Sequence, residues 1–107
     1  MMETACCTLH VRSLKQALYF YEGLLGFEMC KRRPQLNYPG AWYELGEMIL
    51  EVAEQKGAIA HTEVTISGMD DTSIKRRLDH FGIAYTMEAQ ALLLSDPEGH
   101  LLRFVRA

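Results

Sequence analysis

Apolar and polar residues alternate along several short stretches of this chain, a pattern that predicts half-buried β-strands. In Cys6–Val11, the residues Cys7, Leu9 and Val11 fall on one face, and the residues between them fall on the other. Thr62–Ile66 shows the same alternation in the second half. Because successive side chains of a strand point to opposite sides of a sheet, each stretch has one core face and one polar face. Further strands are predicted over Phe27–Arg32, Trp42–Leu45, Met48–Ala53, Ile83–Met87, Ala91–Leu94 and Leu101–Arg106.

Two helices are predicted where apolar residues follow helical spacing between a capping residue and a glycine. The first helix begins after Ser13, with Gln16 at the capping-box position, and ends at Gly26. The second begins after Asp70 and ends at Gly82. Both glycines are placed to close their helices in the left-handed conformation, which glycine adopts without steric cost.

The two halves of the chain carry the same order of elements, which indicates an internal repeat of one structural module. Each half predicts a strand, a helix and three further strands, and the modules span about residues 5–54 and 60–107. A chain of 107 residues forms a single domain, whose modules share one core or exchange it with a partner chain. The short linker at 54–60 favours pairing between the modules of two chains, and residues 33–40 are predicted to form a loop.

Charge and composition exclude several classes of partner. The formal net charge is −3 with acids and bases interspersed, so we expect neither nucleic acid nor a membrane surface as a partner. The longest apolar runs, such as Ala91–Leu94, fall far short of the roughly 20 residues that span a bilayer. Three cysteines without CxxC spacing predict free thiols and a cytoplasmic protein.

Three motifs in a fixed order resemble one known superfamily. They are YFYEGLLGF at 19–27, PGAW at 39–42 followed by Leu45-Gly46, and SDPEGH at 95–100. This combination resembles the vicinal oxygen chelate superfamily, which includes glyoxalase I, bleomycin resistance proteins and extradiol dioxygenases. The resemblance covers nearly the whole chain. It implies an α+β fold in which two βαβββ modules form a curved, cavity-bearing mixed sheet.

The resemblance also implies where a metal would bind. Metal-using members of the superfamily place four ligands on the first, fourth, fifth and eighth strands, and those positions fall here on Cys6, Glu51, His61 and Arg103. Only Glu51 and His61 keep a ligand type usual in the family. Because a guanidinium cannot ligate a cation and repels it, we expect a cavity without a metal cofactor. The alternative is a divalent zinc, nickel, manganese or iron ion held by Glu51, His61 and Cys6.

Arg103 has two interpretations that the sequence leaves open. It forms an ion pair with Glu51, or it binds an anionic group of a ligand. His10 shares a strand face with Cys6 and is expected to hydrogen-bond a ligand, as is His61. Cys6 is either a small apolar lining residue or a thiol whose pKa Arg103 or His61 lowers.

An aromatic cluster follows the predicted loop. Tyr38, Trp42 and Tyr43 stand close together in the chain, and strand alternation lets one of the last two face a cavity. We expect Trp42 to face it, because the family motif includes that residue. His80 and His100 are predicted to face solvent and receive no role.

The leading functional hypothesis is capture of a small organic ligand by a homodimer. Trp42 would pack against an apolar or aromatic ligand, and Arg103, His10 and His61 would hold its polar end. The alternative is a metal-dependent lyase, isomerase or dioxygenase that uses Glu51 and His61. A third possibility is a metal-free enzyme with Glu51 as the catalytic base.

Overall fold

The structure, a computed structural model, describes residues 5–105 and has an α+β fold. Within these residues, seven strands and two helical segments follow the predicted order, without the strand predicted over 27–32. The elements are β1 (Ala5–Val11), α1 (Leu14–Leu18, continued by a π-helix over Tyr19–Leu24), β2 (Gly40–Leu45), β3 (Met48–Glu54), β4 (Glu63–Ser67), α2 (Asp71–Phe81), β5 (Thr86–Glu88), β6 (Ala91–Ser95) and β7 (Leu101–Val105). Within residues 5–105, no helix is long and apolar enough to cross a membrane.

The helix ends follow from local sequence, as predicted. The Ser13 hydroxyl accepts a hydrogen bond from the Gln16 amide at 3.2 Å, and the Asp70 carboxylate accepts one from the Thr72 amide at 3.0 Å. Gly26 and Gly82 close the two helical segments with φ angles of +78° and +68°. Capping residues directly before and after each helical segment therefore set where it begins and ends.

The first helix differs from its prediction because it widens into a π-helix. The Leu25 amide donates to the Phe20 carbonyl at 3.0 Å, five residues back. Phe20 and Tyr21 are both buried, and the Tyr21 hydroxyl donates to Asp96 of the second module at 2.7 Å. The π-helical turn thus contains two successive aromatic side chains, Phe20 and Tyr21, that both lie in the core.

Each module contributes one sheet. The first has the order β1-β3-β2, with β1 parallel to β3, and the second has the order β4-β7-β6-β5, with β4 parallel to β7. The predicted strand over 27–32 is wrong, since this segment makes only an isolated bridge between Met29 and Tyr43. Side chains at 28, 29, 31 and 32 face solvent, so no burial supports a regular strand there. The predicted strand over 83–87 is shorter and begins at Thr86.

The two modules of one chain pack together through a common core. Phe27 and Phe104, from different modules, have ring centroids 6.3 Å apart. The β2–β3 turn approaches the end of β4 so closely that a Cβ on Gly46 would lie 2.0 Å from the Ser67 carbonyl oxygen. The core lies on one side of each sheet, and the opposite side carries polar residues that include Glu51 in the first sheet and Arg103 in the second.

Candidate functional site

Glu51 lies on the side of β3 opposite the core. Its neighbours Leu50 and Val52 are fully buried in the core, and the carboxylate itself is only 6% exposed. The strand register places Glu51 between Thr8 of β1 and Trp42 of β2. Parallel and antiparallel pairing thus bring three polar side chains onto one face, which we call the Glu51 face.

Four side chains surround the Glu51 carboxylate. The Thr8 hydroxyl donates to Oε1 at 2.9 Å, and the Trp42 indole N–H donates to Oε2 at 2.9 Å. The Tyr38 hydroxyl lies 3.1 Å from Oε2, and the Arg33 Nε lies 3.7 Å from the same oxygen. The charge is thereby compensated by hydrogen bonds and one nearby cation, as a buried carboxylate requires.

These contacts determine the protonation state of Glu51. Burial by itself raises the pKa of the carboxyl. Hydrogen bonds from Trp42, Thr8 and Tyr38, together with the positive charge of Arg33, outweigh that effect and hold the pKa of Glu51 below its usual value. Glu51 is therefore ionised at neutral pH and is a weak base.

Arg33 fastens the 33–40 loop to the Glu51 face. Its Nη2 donates to the Tyr38 carbonyl at 3.1 Å, and its guanidinium carbon lies 5.3 Å from the centre of the Tyr38 ring. A Cβ on Gly40 would lie 2.7 Å from the Val52 carbonyl oxygen and 2.8 Å from Nη2, so glycine leaves room for the neighbouring strand and for the guanidinium. Sequence reasoning missed Arg33 because a loop pattern does not show where its side chains point. It also missed Thr8, although alternation places Thr8 on the face of Cys6 and His10.

Arg103 is not paired with Glu51 but with Glu63. Its Nε and Nη2 donate to Glu63 Oε1 at 3.3 and 3.1 Å. The β4–β7 register places Arg103 beside Thr65, and Glu63 stands two residues away on the same side of β4. The expected Glu51–Arg103 ion pair is therefore absent within residues 5–105, and Arg33 takes the place of the cation beside Glu51.

The four histidines occupy different environments. His10 and Tyr38 line a cavity of about 220 Å³ at the end of the Glu51 face. His61 is exposed and lies against the backbone of Gly99, while His80 is exposed on α2. The prediction for His100 is wrong, because this residue is fully buried.

His100 uses both ring nitrogens, one within its own module and one toward the first module. The Thr62 amide donates to Nδ1 at 3.0 Å, and Nε2 lies 2.7 Å from the His10 carbonyl oxygen. An amide can only donate and a carbonyl can only accept, so Nε2 carries the proton and the ring is neutral. The side chain thereby fixes the backbone of His10 relative to the second module.

Cys6 lies on the Glu51 face and is exposed. Partial burial, the negative charge of Glu51 and the neighbouring Cys7 raise the pKa of the Cys6 thiol. This direction is opposite to the activated thiol considered from the sequence, in which Arg103 or His61 lowers the pKa. Cys6 is therefore a protonated lining residue at neutral pH.

The residues do not fit a metal ion. Within residues 5–105, no three His, Cys, Asp or Glu side chains are grouped so that they could hold one. Three of the roughly four lone-pair sites of Glu51 already accept hydrogen bonds, from Thr8, Tyr38 and Trp42, and the raised pKa of Cys6 disfavours the thiolate that would bind a metal. The alternative ligand set of Glu51, His61 and Cys6 is thus not supported by its donor chemistry.

The paired modules and the solved structures of similar shape show the class of fold, which is the glyoxalase fold that the sequence motifs imply. No protein-family profile and no curated protein sequence matches the chain. Solved structures match it closely in shape.

Three examples illustrate the similarity, and each aligns with nearly all of the chain. The integron cassette protein HFX_CASS4 from the mobile metagenome of Halifax Harbour Sewage Outfall has a TM-score of 0.78 and 17% identity, with 100% of both chains covered. A glyoxalase/bleomycin resistance protein from Streptomyces sp. CB03234 has a TM-score of 0.73 and 17% identity, covering 96% of this chain and 99% of the other. TnmS3, an antibiotic binding protein from the same organism, has a TM-score of 0.74 and 15% identity, covering 99% and 96%.

Proposed function

We propose that this protein binds a small organic molecule on the Glu51 face without a metal ion, as a cytoplasmic homodimer. The observation that carries the proposal is the attachment of two aromatic side chains to one buried carboxylate. Trp42 and Tyr38 both donate hydrogen bonds to Glu51, so their rings are held in place before a ligand arrives. A preorganised aromatic wall costs less entropy on binding than a mobile one.

Glu51 acts in this proposal as an anchor for the binding wall. A general base needs an oxygen that the substrate can reach and a pKa near the working pH. Glu51 is 6% exposed, accepts hydrogen bonds on both oxygens and has a lowered pKa. These features favour binding over proton abstraction, which was the catalytic role considered for Glu51.

The other expected site residues receive roles at the polar end of the ligand. His10 lines the 220 Å³ cavity beside Tyr38 and offers a ring nitrogen to a ligand. Arg103 is half-buried and directs Nε and Nη2 at one oxygen of Glu63, which leaves further N–H groups for a ligand anion. Cys6 and His61 are exposed and complete the proposed lining.

The dimer is proposed because a single chain offers a ligand only limited space beside the Glu51 face. The cavity at its end is too small for a drug-sized ligand, which usually occupies about 300–1,000 Å³. A module of a second copy would cover this face and enlarge the pocket. TnmS3, which shares the fold, is an antibiotic binding protein, and this supports an organic ligand of similar class.

Fluorescence of Trp42 tests the proposal directly. Trp42 is the single tryptophan of the chain, so every change in indole emission reports on the Glu51 face. We expect members of a panel of aromatic antibiotics and aromatic carboxylic acids to shift the emission saturably and to raise the melting temperature. A panel that changes neither the emission nor the melting temperature would contradict the proposal.

A further inference from the structure

A second cleft lies on helix α2, away from the Glu51 face. It has a volume of about 480 Å³ and is lined by Ser73, Arg76, Arg77, His80 and Phe81. The first four residues follow the spacing i, i+3, i+4 and i+7, so they share one side of the helix. Ile74 and Leu78 occupy the other side and are buried in the core. The cleft therefore faces outward, whereas the Glu51 face lies on the opposite side of the sheets.

The two guanidinium groups of this cleft have no partner within residues 5–105. Neither Arg76 nor Arg77 makes an ion pair or a side-chain hydrogen bond there. The nearby carboxylates of α2 are already engaged, since Asp79 accepts from the Tyr85 hydroxyl at 2.9 Å and Asp70 caps the helix. The cleft is thus a local concentration of positive charge on a chain whose net charge is −3.

Arg77 also lies against Gly26 at the end of the first helical segment. A Cβ placed on Gly26 would lie 2.5 Å from the guanidinium carbon of Arg77, so the guanidinium rests directly on this glycine. Gly26 has a φ of +78°, a conformation that favours glycine independently of the space available. This contact places the Arg77 guanidinium beside the end of the first helical segment, on the same cleft as Arg76.

We propose that the α2 cleft binds the phosphate group of a small organic phosphate monoester. Arg76 and Arg77 supply forked donors, the Ser73 hydroxyl supplies another, and the paired rings of His80 and Phe81 pack against the organic part. The rings of His80 and Phe81 lie 4.8 Å apart in an edge-to-face arrangement, and Phe81 is 45% exposed. A long polyanion is disfavoured because the basic surface covers one side of an 11-residue helix on an acidic chain.

Titration of the ¹⁵N-labelled protein with inorganic phosphate, phenyl phosphate and phenol at constant ionic strength tests this site. We expect phosphate to shift the amide signals of Ser73, Arg76, Arg77 and His80 saturably. Phenyl phosphate should bind more tightly than phosphate, and phenol should have no effect. Binding of phenol alone, or no saturable shift with either phosphate compound, would overturn the proposal.

Two variants and one control assign the binding to the cleft. Arg76→Gln and Arg77→Gln should each weaken phenyl phosphate binding about tenfold, the loss expected for one charge-assisted hydrogen bond. Arg76→Gln decides the matter if Arg77→Gln disturbs the packing on Gly26. Lys56→Gln removes an exposed positive charge elsewhere and should leave the affinity unchanged. Equal affinity in all four proteins would refute the site, and tighter binding of a short DNA duplex would assign the surface to nucleic acid instead.

Discussion

At the scale of single residues, one buried carboxylate organises the candidate site. Glu51 is 6% exposed and accepts hydrogen bonds from residues of β1, β2 and the 33–40 loop. Its charge is tolerated because each donor lies within hydrogen-bond distance and Arg33 adds a positive charge nearby. A change at this position therefore affects both the fold and the aromatic wall.

We expect Glu51→Gln to destabilise the protein by about 1–3 kcal/mol. The amide keeps one acceptor oxygen but turns an NH₂ group toward donors that then lose their partner. Urea unfolding followed by circular dichroism measures this loss. Glu47→Gln, in the exposed β2–β3 turn, is the matched control and should unfold like the unmodified chain. Equal stability of both variants would show that the carboxylate charge does not hold the site together.

The stability difference between the unmodified chain and Glu51→Gln should depend on pH. The pKa of Glu51 is lower in the folded than in the unfolded chain, where it is about 4.3. A carboxyl of this kind adds stability above its unfolded pKa, and the contribution is lost as the pH falls through the folded pKa. We therefore expect the difference to be largest near neutral pH and to shrink below about pH 4. A difference that grows in acid would contradict the hydrogen-bonding scheme.

At the scale of elements, close contacts between turns and strands fix the arrangement of the two sheets. The β2–β3 turn is pressed against the last residue of β4, and Gly46 leaves no room there for a side chain. Gly82 has a similar φ, +68° against +59° for Gly46, but no atom lies within 4 Å of a Cβ placed on it. Substitution of Gly82 therefore tests backbone strain alone, whereas substitution of Gly46 tests backbone strain together with a steric clash.

Gly46→Ala should destabilise the protein clearly more than Gly82→Ala. Both substitutions carry the cost of a left-handed alanine, about 1 kcal/mol. Only Gly46→Ala also forces the turn away from Ser67, which we expect to add at least about 1 kcal/mol. Thermal unfolding of the two variants gives the comparison. Equal melting temperatures would mean that the turn can move without cost.

At the scale of the whole molecule, His100 joins the two modules. Its ring nitrogens bind the Thr62 amide and the His10 carbonyl, which belong to different halves of the chain. His100→Leu fills similar space but leaves both backbone groups without a partner. We expect a loss of about 2–4 kcal/mol in urea unfolding, and weaker protection of the Thr62 amide in hydrogen exchange. His80→Leu, on the exposed side of α2, is the control and should change neither quantity.

Since no fitting ligand set occurs among residues 5–105, we can predict how the purified protein responds to metals. After incubation with zinc, nickel, manganese or ferrous iron and removal of the excess, elemental analysis should find no stoichiometric metal. His61→Ala should behave in the same way. Near-stoichiometric metal that disappears in His61→Ala would show that the side chains rearrange into the family's ligand positions and would favour the enzyme alternative.

Much of this fold was predictable because the decisive interactions are local. The alternation in Cys6–Val11 and Thr62–Ile66 depends on the two-residue period of a strand, and the helix ends depend on Ser13, Asp70 and two glycines. The resemblance in the motifs added the pairing of the modules, and the solved structures confirm the fold. By contrast, the segment at 27–32 looks apolar enough for a strand, but its outward side chains face solvent.

The sequence by itself determined the strand faces, the helix ends and the repeat, since each depends on residues a few positions apart. Only the tertiary structure decided which charges meet. Arg33 reaches Glu51 from a loop 18 positions earlier in the chain, Arg103 turns to Glu63, and His100 is buried between the modules. Such pairs depend on register and loop path, which long-range packing sets and a local pattern does not record.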